Sequence, residues 1–87
     1  MFKKLIENHI KNLTKKDIID YSKNENINLN NNEIDIIFNY IKNDYKTLLY
    51  GDSSYIFKDL KNRINPTSYQ KIKSLYDTYK DKYKNYL

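Results

Sequence analysis

The sequence lacks cysteine, alanine, valine and tryptophan, and it has one glycine, Gly51, and one proline, Pro66. The absence of cysteine excludes a disulfide framework and a thiolate metal site. A single glycine excludes the glycine-rich loops that bind phosphate groups. No apolar run approaches the roughly 18 residues of a membrane-spanning helix, and no signal peptide is predicted because Glu7 interrupts the apolar start. We therefore expect a cytoplasmic protein that binds no metal, no cofactor and no membrane.

Four residue types dominate what is present: 15 Lys, 13 Asn, 12 Ile and 10 Tyr account for 50 of the 87 residues. All four have A/T-rich codons, so the composition predicts an AT-rich genome. The formal net charge is +5, and Arg63 is the only arginine. Arginine is the usual residue for bidentate phosphate and base recognition. A surplus made of lysine alone permits weak electrostatic contacts, but it does not by itself indicate a nucleic-acid site.

Apolar residues recur at intervals of three and four along almost the whole chain, which is typical of amphipathic helices. We predict an all-α fold, a compact bundle of about five helices that forms one domain over residues 1–87. The first predicted helix covers residues 2–12. Its apolar stripe consists of Phe2, Leu5, Ile6, His9, Ile10 and Leu13.

The second predicted helix is short and begins after Thr14, which forms a capping box with Asp17. We expect it to turn Ile18, Ile19 and Tyr21 inward. The following residues 24–29 alternate asparagine with apolar side chains, which favours an extended connector between the second and third helices. This connector should hold Ile27 and Leu29 in the core.

The third predicted helix is the longest. Asn30 or Asn31 can cap its start, with Glu33 three residues after Asn30 as in a capping box, and Gly51 predicts a left-handed residue at its end. We expect Phe38 and Ile41 to be fully buried, because they lie in the middle of its stripe. The stripe consists of Ile34, Ile37, Phe38, Ile41, Tyr45 and Leu48.

Two further helices complete the prediction. Asp52 should cap the fourth, whose apolar side holds Ile56, Phe57, Leu60 and Ile64. Pro66 suits the first position of the fifth, over residues 66–85. The stripe of the fifth consists of Tyr69, Ile72, Leu75, Tyr76, Tyr79, Tyr83 and Tyr86.

Catalytic chemistry is not indicated. His9 is the only histidine, and it lies on an apolar stripe, where a ring usually packs rather than reacts. No nucleophile and orienting acid accompany it in a recognisable pattern. Asn24, Asn26 and Asn28 have the spacing of a calcium loop, but Leu29 occupies the position that needs glycine. We therefore expect that the protein is not an enzyme.

The end of the last helix is the best candidate for a functional surface, because lysines alternate there with a tyrosine stripe. We predict that this surface binds another protein, since tyrosines supply interface energy at little cost in conformational entropy. The alternative is weak, sequence-independent binding of nucleic acid, with lysines on phosphates and tyrosines stacked on bases. The candidate residues are Tyr79, Lys80, Lys82, Tyr83, Lys84 and Tyr86. The stripe before Tyr79 is expected to be core.

Two resemblances extend this interpretation. The helix, extended connector and helix over residues 14–50 resemble small DNA-binding modules, although Glu33 makes the entry to the second of these helices neutral to acidic. The whole pattern resembles the YqfT-like family of short uncharacterised proteins from Bacillus-type, low-GC bacteria. This resemblance is carried by Leu13-Thr14, Ile27-x-Leu29 and Asn65-Pro66. It implies a compact helical fold in a cytoplasmic bacterial protein, and it implies no activity.

Overall fold

Five α-helices make up the part of the chain that the computed structural model describes, residues 2–83, with side chains described for residues 4–82. The helices are Phe2–Lys11 (α1), Lys15–Asn24 (α2), Asn31–Tyr50 (α3), Ser54–Arg63 (α4) and Pro66–Tyr83 (α5). The predicted all-α bundle is confirmed, including the breaks between its helices. Within the same residues, no helix combines the length and the apolar character needed to cross a membrane.

The starts of α2 and α3 are fixed by the two predicted capping boxes. Thr14 Oγ1 accepts the amide of Asp17 at 3.2 Å, and Asp17 Oδ2 accepts the amide of Thr14 at 2.9 Å. Asn30 Oδ1 accepts the amide of Glu33 at 2.8 Å, and Glu33 Oε1 accepts the amide of Asn30 at 2.9 Å. Both boxes are confirmed, so amide groups that a helix start leaves without partners are satisfied locally.

The α3–α4 turn differs from the prediction. Gly51 has φ −114°, so it does not take the left-handed conformation. A Cβ atom on Gly51 would lie 3.3 Å from the Thr47 Cα, so glycine suits this position because the chain turns back close to α3. Asp52 does not cap α4: Ser53 occupies the N-cap position, and Asp52 Oδ1 instead accepts the amide of Ser54 at 3.0 Å. Among the described non-glycine residues, Asn26 alone has a positive φ, of 58°.

The main core lies between α3, α4 and α5. Its buried members are Ile36, Ile56, Phe57, Leu60 and Ile64. Ile56 is only 1% exposed. The Phe57 ring packs between two tyrosines of α5, with its centroid 6.5 Å from that of Tyr69 and 4.6 Å from that of Tyr76. The four predicted apolar residues of α4 are therefore confirmed as core.

The predicted burial of Phe38 and Ile41 is wrong. Both are only half-buried, whereas Ile36 is 6% exposed. The reason is that α4 covers the side of α3 that carries Ile36. The Phe38 ring instead lies between two ammonium groups, with Lys15 Nζ 5.6 Å and Lys42 Nζ 5.5 Å from its centroid.

Part of the predicted stripes on α1 and α2 is also uncovered. Leu5 is 68% exposed although it lies on the α1 stripe, and Tyr21 is 44% exposed, so the prediction that Tyr21 turns inward is wrong. In α2 the buried residues are Ile18 and Ser22, and Ser22 Oγ donates to the Ile19 carbonyl at 2.8 Å. The described chain therefore covers only part of the apolar face of α1 and of α2.

Three lysines bind the carbonyl ends of helices from elsewhere in the chain. Lys42 Nζ donates to the carbonyls of Ile10 and Lys11 at the end of α1, both at 2.8 Å. Lys71 Nζ donates to the carbonyl of Asn26, just beyond α2, at 2.7 Å. Lys80 Nζ donates to carbonyls at the end of α3, at distances of 3.2 and 3.3 Å. We call these residues the capping lysines, because they bind where a helix dipole favours positive charge.

Candidate functional site

An open groove of about 590 Å³ lies between α1, α2, α3 and α5. Its aliphatic lining consists of Leu13, Ile18, Ile27, Leu29, Ile37, Ile41, Ile72 and Leu75. Its remaining lining residues are His9, Asn12, Asp17, Tyr21, Ser22, Tyr76 and Tyr79. We call this feature the apolar groove. Its volume falls within the range of about 300–1,000 Å³ that is usual for binding sites.

The deepest lining residues come from α2 and the connector. Ile18 is 8% exposed and Ile27 is 5% exposed, so both are part of the packed interior and at the same time part of the groove wall. Ile37 and Ile41 line it from α3 and are half-buried, as are Ile72 and Leu75 of α5. This position explains why Ile41 is not fully buried: the side of α3 that carries it faces the groove instead of another helix.

Two ionisable side chains of the groove, His9 and Asp17, come from α1 and the start of α2. His9 is exposed, so the prediction that its ring packs among apolar side chains is wrong. The hydrogen bonds from the Thr14 backbone and side chain hold the pKa of Asp17 below its ordinary value, and Lys16 and His9 lower it further. Asp17 is therefore ionised at neutral pH, and it gives the groove lining one fixed negative charge.

Two tyrosine hydroxyls meet across the groove. Tyr21 of α2 donates a hydrogen bond to the hydroxyl of Tyr79 of α5 at 3.3 Å. Partial burial and this bond raise the pKa of Tyr21. Tyr79 is 46% exposed. The two rings therefore form a rim that combines apolar area with hydroxyl groups, a combination that is common in protein-binding surfaces.

The structure separates the residues of the predicted interaction surface. Tyr79 lies in the groove, and Lys82 is exposed. The Lys80 ammonium is used within the fold, because besides the α3 carbonyls it contacts the Tyr76 hydroxyl at 3.1 Å. The side chain of Tyr83, and Lys84 and Tyr86, lie outside the described residues. Of the predicted positions whose side chains the structure describes, Tyr79 lines the groove, whereas Lys80 and Lys82 do not.

Sequence reasoning missed the groove because it assigned the lining residues to the core. Leu13, Ile18, Ile27 and Leu29 were predicted as buried, and their spacing gives no sign that one side stays open. The available signal was chain length: a chain of 87 residues buries only about 60–65% of its unfolded surface, so parts of five apolar stripes can stay uncovered. Among the described residues, no group of three or more histidine, cysteine or acidic side chains could hold a metal ion.

The fold and the groove define a small all-α protein with an uncovered apolar surface. Residues 1–80 match the model of a family described as a protein of unknown function (DUF2624), and the chain belongs to this family. No curated protein and no solved structure matches the chain. Membership in a family of unknown function agrees with what the resemblance implied, while the YqfT-like name and the Bacillus-type source stay predictions.

Proposed function

We propose that the protein is a non-enzymatic interaction module that binds a helix of a protein in the apolar groove, with the final helix as one wall. The observation that supports this most directly is the lining itself. Eight aliphatic and three tyrosine side chains surround an open space that the described chain leaves uncovered. Exposed apolar surface of this kind is typical of protein-binding sites.

A helix is the partner element that suits the groove. The groove runs between helices, and an amphipathic helix places apolar side chains at intervals of three and four residues along one face. Tyr21 and Tyr79 at the rim can pack on such side chains and keep their hydroxyls in water. This extends the sequence prediction, in which Tyr79 belonged to a protein-binding surface of the last helix.

Sequence-independent nucleic-acid binding is the alternative function. It requires lysine ammoniums that can reach phosphates, and the affinity must then fall steeply with salt. Lys80 and Lys71 bind backbone carbonyls in the structure, which reduces the number of α5 ammoniums available for phosphates. The protein-binding proposal therefore has more support than the alternative.

The test compares two variants with the same chemical change, Tyr79→Lys at the groove and Tyr55→Lys away from it. Both tyrosines are exposed, at 46% and 53%. Each purified variant is titrated with the dye anilinonaphthalene sulfonate, which reports apolar surface, and is used for affinity capture with and without nuclease. We expect Tyr79→Lys to lose dye binding and nuclease-resistant partners, and Tyr55→Lys to keep both.

Two outcomes would contradict the proposal. Equal dye binding by Tyr79→Lys, Tyr55→Lys and the unmodified protein, at a concentration where all three are monomeric, would show that the groove is not a binding surface. Captured material that disappears with nuclease, together with salt-sensitive binding of single-stranded nucleic acid, would favour the alternative. In that case Lys82→Gln should flatten the salt dependence, while Tyr79→Lys should not weaken binding.

A further inference from the structure

We infer that the helix in the apolar groove is α1 of a second copy of this chain, with Leu5 of each copy inserted into the groove of the other. This inference rests on the proposed function and names its partner. The result is a dimer with two-fold symmetry, in which each copy contributes one projecting leucine and one receiving groove.

Leu5 is the most exposed large apolar side chain among the described residues, at 68%. It belongs to an apolar stripe in which Ile6, Ile10 and Leu13 are half-buried within the fold, while His9 is exposed like Leu5. The described chain thus covers one side of the stripe and leaves the Leu5 side open. A single exposed leucine is ordinary on a protein surface, but an exposed leucine beside an open apolar groove extends one apolar patch, and such patches mark interaction sites.

Leu5 and the groove lie on the same face of α1. His9 and Asn12 both line the groove, and they follow Leu5 by four and seven residues, the spacing of neighbours along one helix face. The projecting side chain and the receiving groove are therefore adjacent on one surface. A two-fold interface requires this arrangement, because the same patch of each copy must both insert and receive.

The charges favour α1 over an acidic partner helix. Helix α1 contains three lysines, Lys3, Lys4 and Lys11, against one acidic residue, Glu7, and it has no acidic residue in its first turn. The fixed charge of the groove lining is negative, at Asp17. Lys4 is exposed and directly precedes Leu5, so inserting Leu5 brings a cationic segment towards the Asp17 carboxylate, the one acidic side chain of the groove lining. An acidic helix would instead meet Asp17 with a like charge.

The first experiment measures mass by sedimentation equilibrium over a range of protein concentrations. We expect the unmodified protein to reach the dimer mass and to grow no further. Leu5→Lys removes the projecting leucine, and Tyr79→Lys and Leu75→Lys charge the groove. All three should remain monomeric, whereas Tyr55→Lys, an equivalent change away from the groove, should dimerise like the unmodified protein. Circular dichroism tests whether each variant is folded. If Leu75→Lys is unfolded, Tyr79→Lys alone is used as the groove variant.

The second experiment mixes two variants that cannot dimerise alone. Leu5→Lys keeps an intact groove, and Leu75→Lys, or Tyr79→Lys in its place, keeps an intact Leu5. Each mixed pair can therefore form one of the two contacts. We expect a heterodimer to appear in the mixture, with a dissociation constant at least tenfold weaker than that of the unmodified dimer. This restored association is the result expected when Leu5 of one copy binds the groove of the other.

Three results would overturn the inference. They are an unmodified protein that is monomeric at about 1 mM, a dimer that survives Leu5→Lys, and a mixture that stays monomeric. If the unmodified protein is monomeric but binds the dye in a Tyr79-dependent way, the groove still functions and only its partner is misassigned. If the dye does not bind the monomer and no variant alters its mass, the proposed function fails as well.

Discussion

The Glu33 carboxylate binds the backbone amide of Asn65, 32 residues further along the chain, with 2.6 Å between Oε2 and the amide nitrogen. Its other oxygen accepts the amide of Asn30 at the start of α3. Asn65 in turn accepts the amide of Thr67 with its side chain, at the start of α5. One buried carboxylate therefore joins the starts of two helices, and Glu33 is only 6% exposed.

We expect Glu33→Gln to lower the free energy of unfolding by about 2 kcal/mol. Glutamine keeps one oxygen for the Asn30 amide, but its NH₂ group then opposes the Asn65 amide, and that donor loses its partner at a part-buried bond. Urea denaturation followed by circular dichroism measures the change, with the exposed Glu7→Gln as the control. A loss for Glu33→Gln no larger than that for Glu7→Gln would show that the Asn65 contact contributes little.

Truncation should distinguish the two sides of α3. Ile36→Ala removes a buried side chain from the main core and should cost about 2–5 kcal/mol. Phe38→Ala removes a half-buried ring and should cost less, because solvent already reaches it. Thermal and urea unfolding of both variants give the comparison. A larger loss for Phe38→Ala would indicate that α4 packs on a different side of α3.

The capping role of Lys80 predicts a stability effect that an exposed lysine does not have. Lys80→Met keeps most of the apolar stem and removes the ammonium, so the carbonyls of Leu48 and Gly51 lose a donor. We expect a loss of about 1 kcal/mol. Lys58→Met, on the exposed side of α4, is the matched control and should be nearly neutral. Similar unfolding midpoints for the two variants would show that the Lys80 ammonium does not stabilise the fold.

The stability should depend on pH through Tyr40 and Asp59. The Tyr40 hydroxyl donates to Asp59 Oδ2 at 2.5 Å. This bond, with Arg63, lowers the pKa of Asp59, and it raises the pKa of Tyr40. The contribution of Asp59 is present above its unfolded pKa of about 4 and is lost as the pH falls through the folded value. The contribution of Tyr40 is present below about pH 10 and is lost as the pH rises through its folded value.

Removing that hydroxyl should flatten both limbs of the pH profile. We expect the stability of the Tyr40→Phe variant to depend less on pH than that of the unmodified protein, both below about pH 4 and above about pH 10. Tyr55→Phe, which removes an exposed hydroxyl bonded to Asp44 at 3.2 Å, is the control. The measurement is the unfolding midpoint of each variant and of the unmodified protein across the pH range. A Tyr40→Phe profile parallel to that of the unmodified protein would show that the bond is not the source of the dependence.

Helix boundaries were predictable because their signals are local. A capping box needs only two residues three positions apart, as at Thr14 and Asp17, and proline fixes its own φ at the start of α5. The conformation of Gly51 was not predictable in the same way. Its backbone follows the tight return of the chain past Thr47, which depends on where α4 packs.

The orientation of α3 and the presence of the open groove could not be predicted from the sequence, for a different reason. Ile34, Ile36, Ile37 and Ile41 surround α3 on more than one side, so the periodicity fits several orientations. An apolar stripe also looks the same whether its cover comes from this chain or from another molecule. Leu5 and Ile6 are neighbours with similar side chains, and only the packing of α1 exposes one and half-buries the other.

The capping lysines change what counts as a conservative exchange in this chain. At each of these positions an ammonium binds one or two carbonyl oxygens at or just beyond a distant helix end, as Lys42 does for two carbonyls at 2.8 Å. A guanidinium is planar, wider and directional, and it would need different space and angles to reach the same oxygens. Arginine should thus be tolerated at the other exposed lysines and disfavoured at residues 42, 71 and 80. The abundance of lysine, whatever its genomic origin, has become part of how the helices are held together.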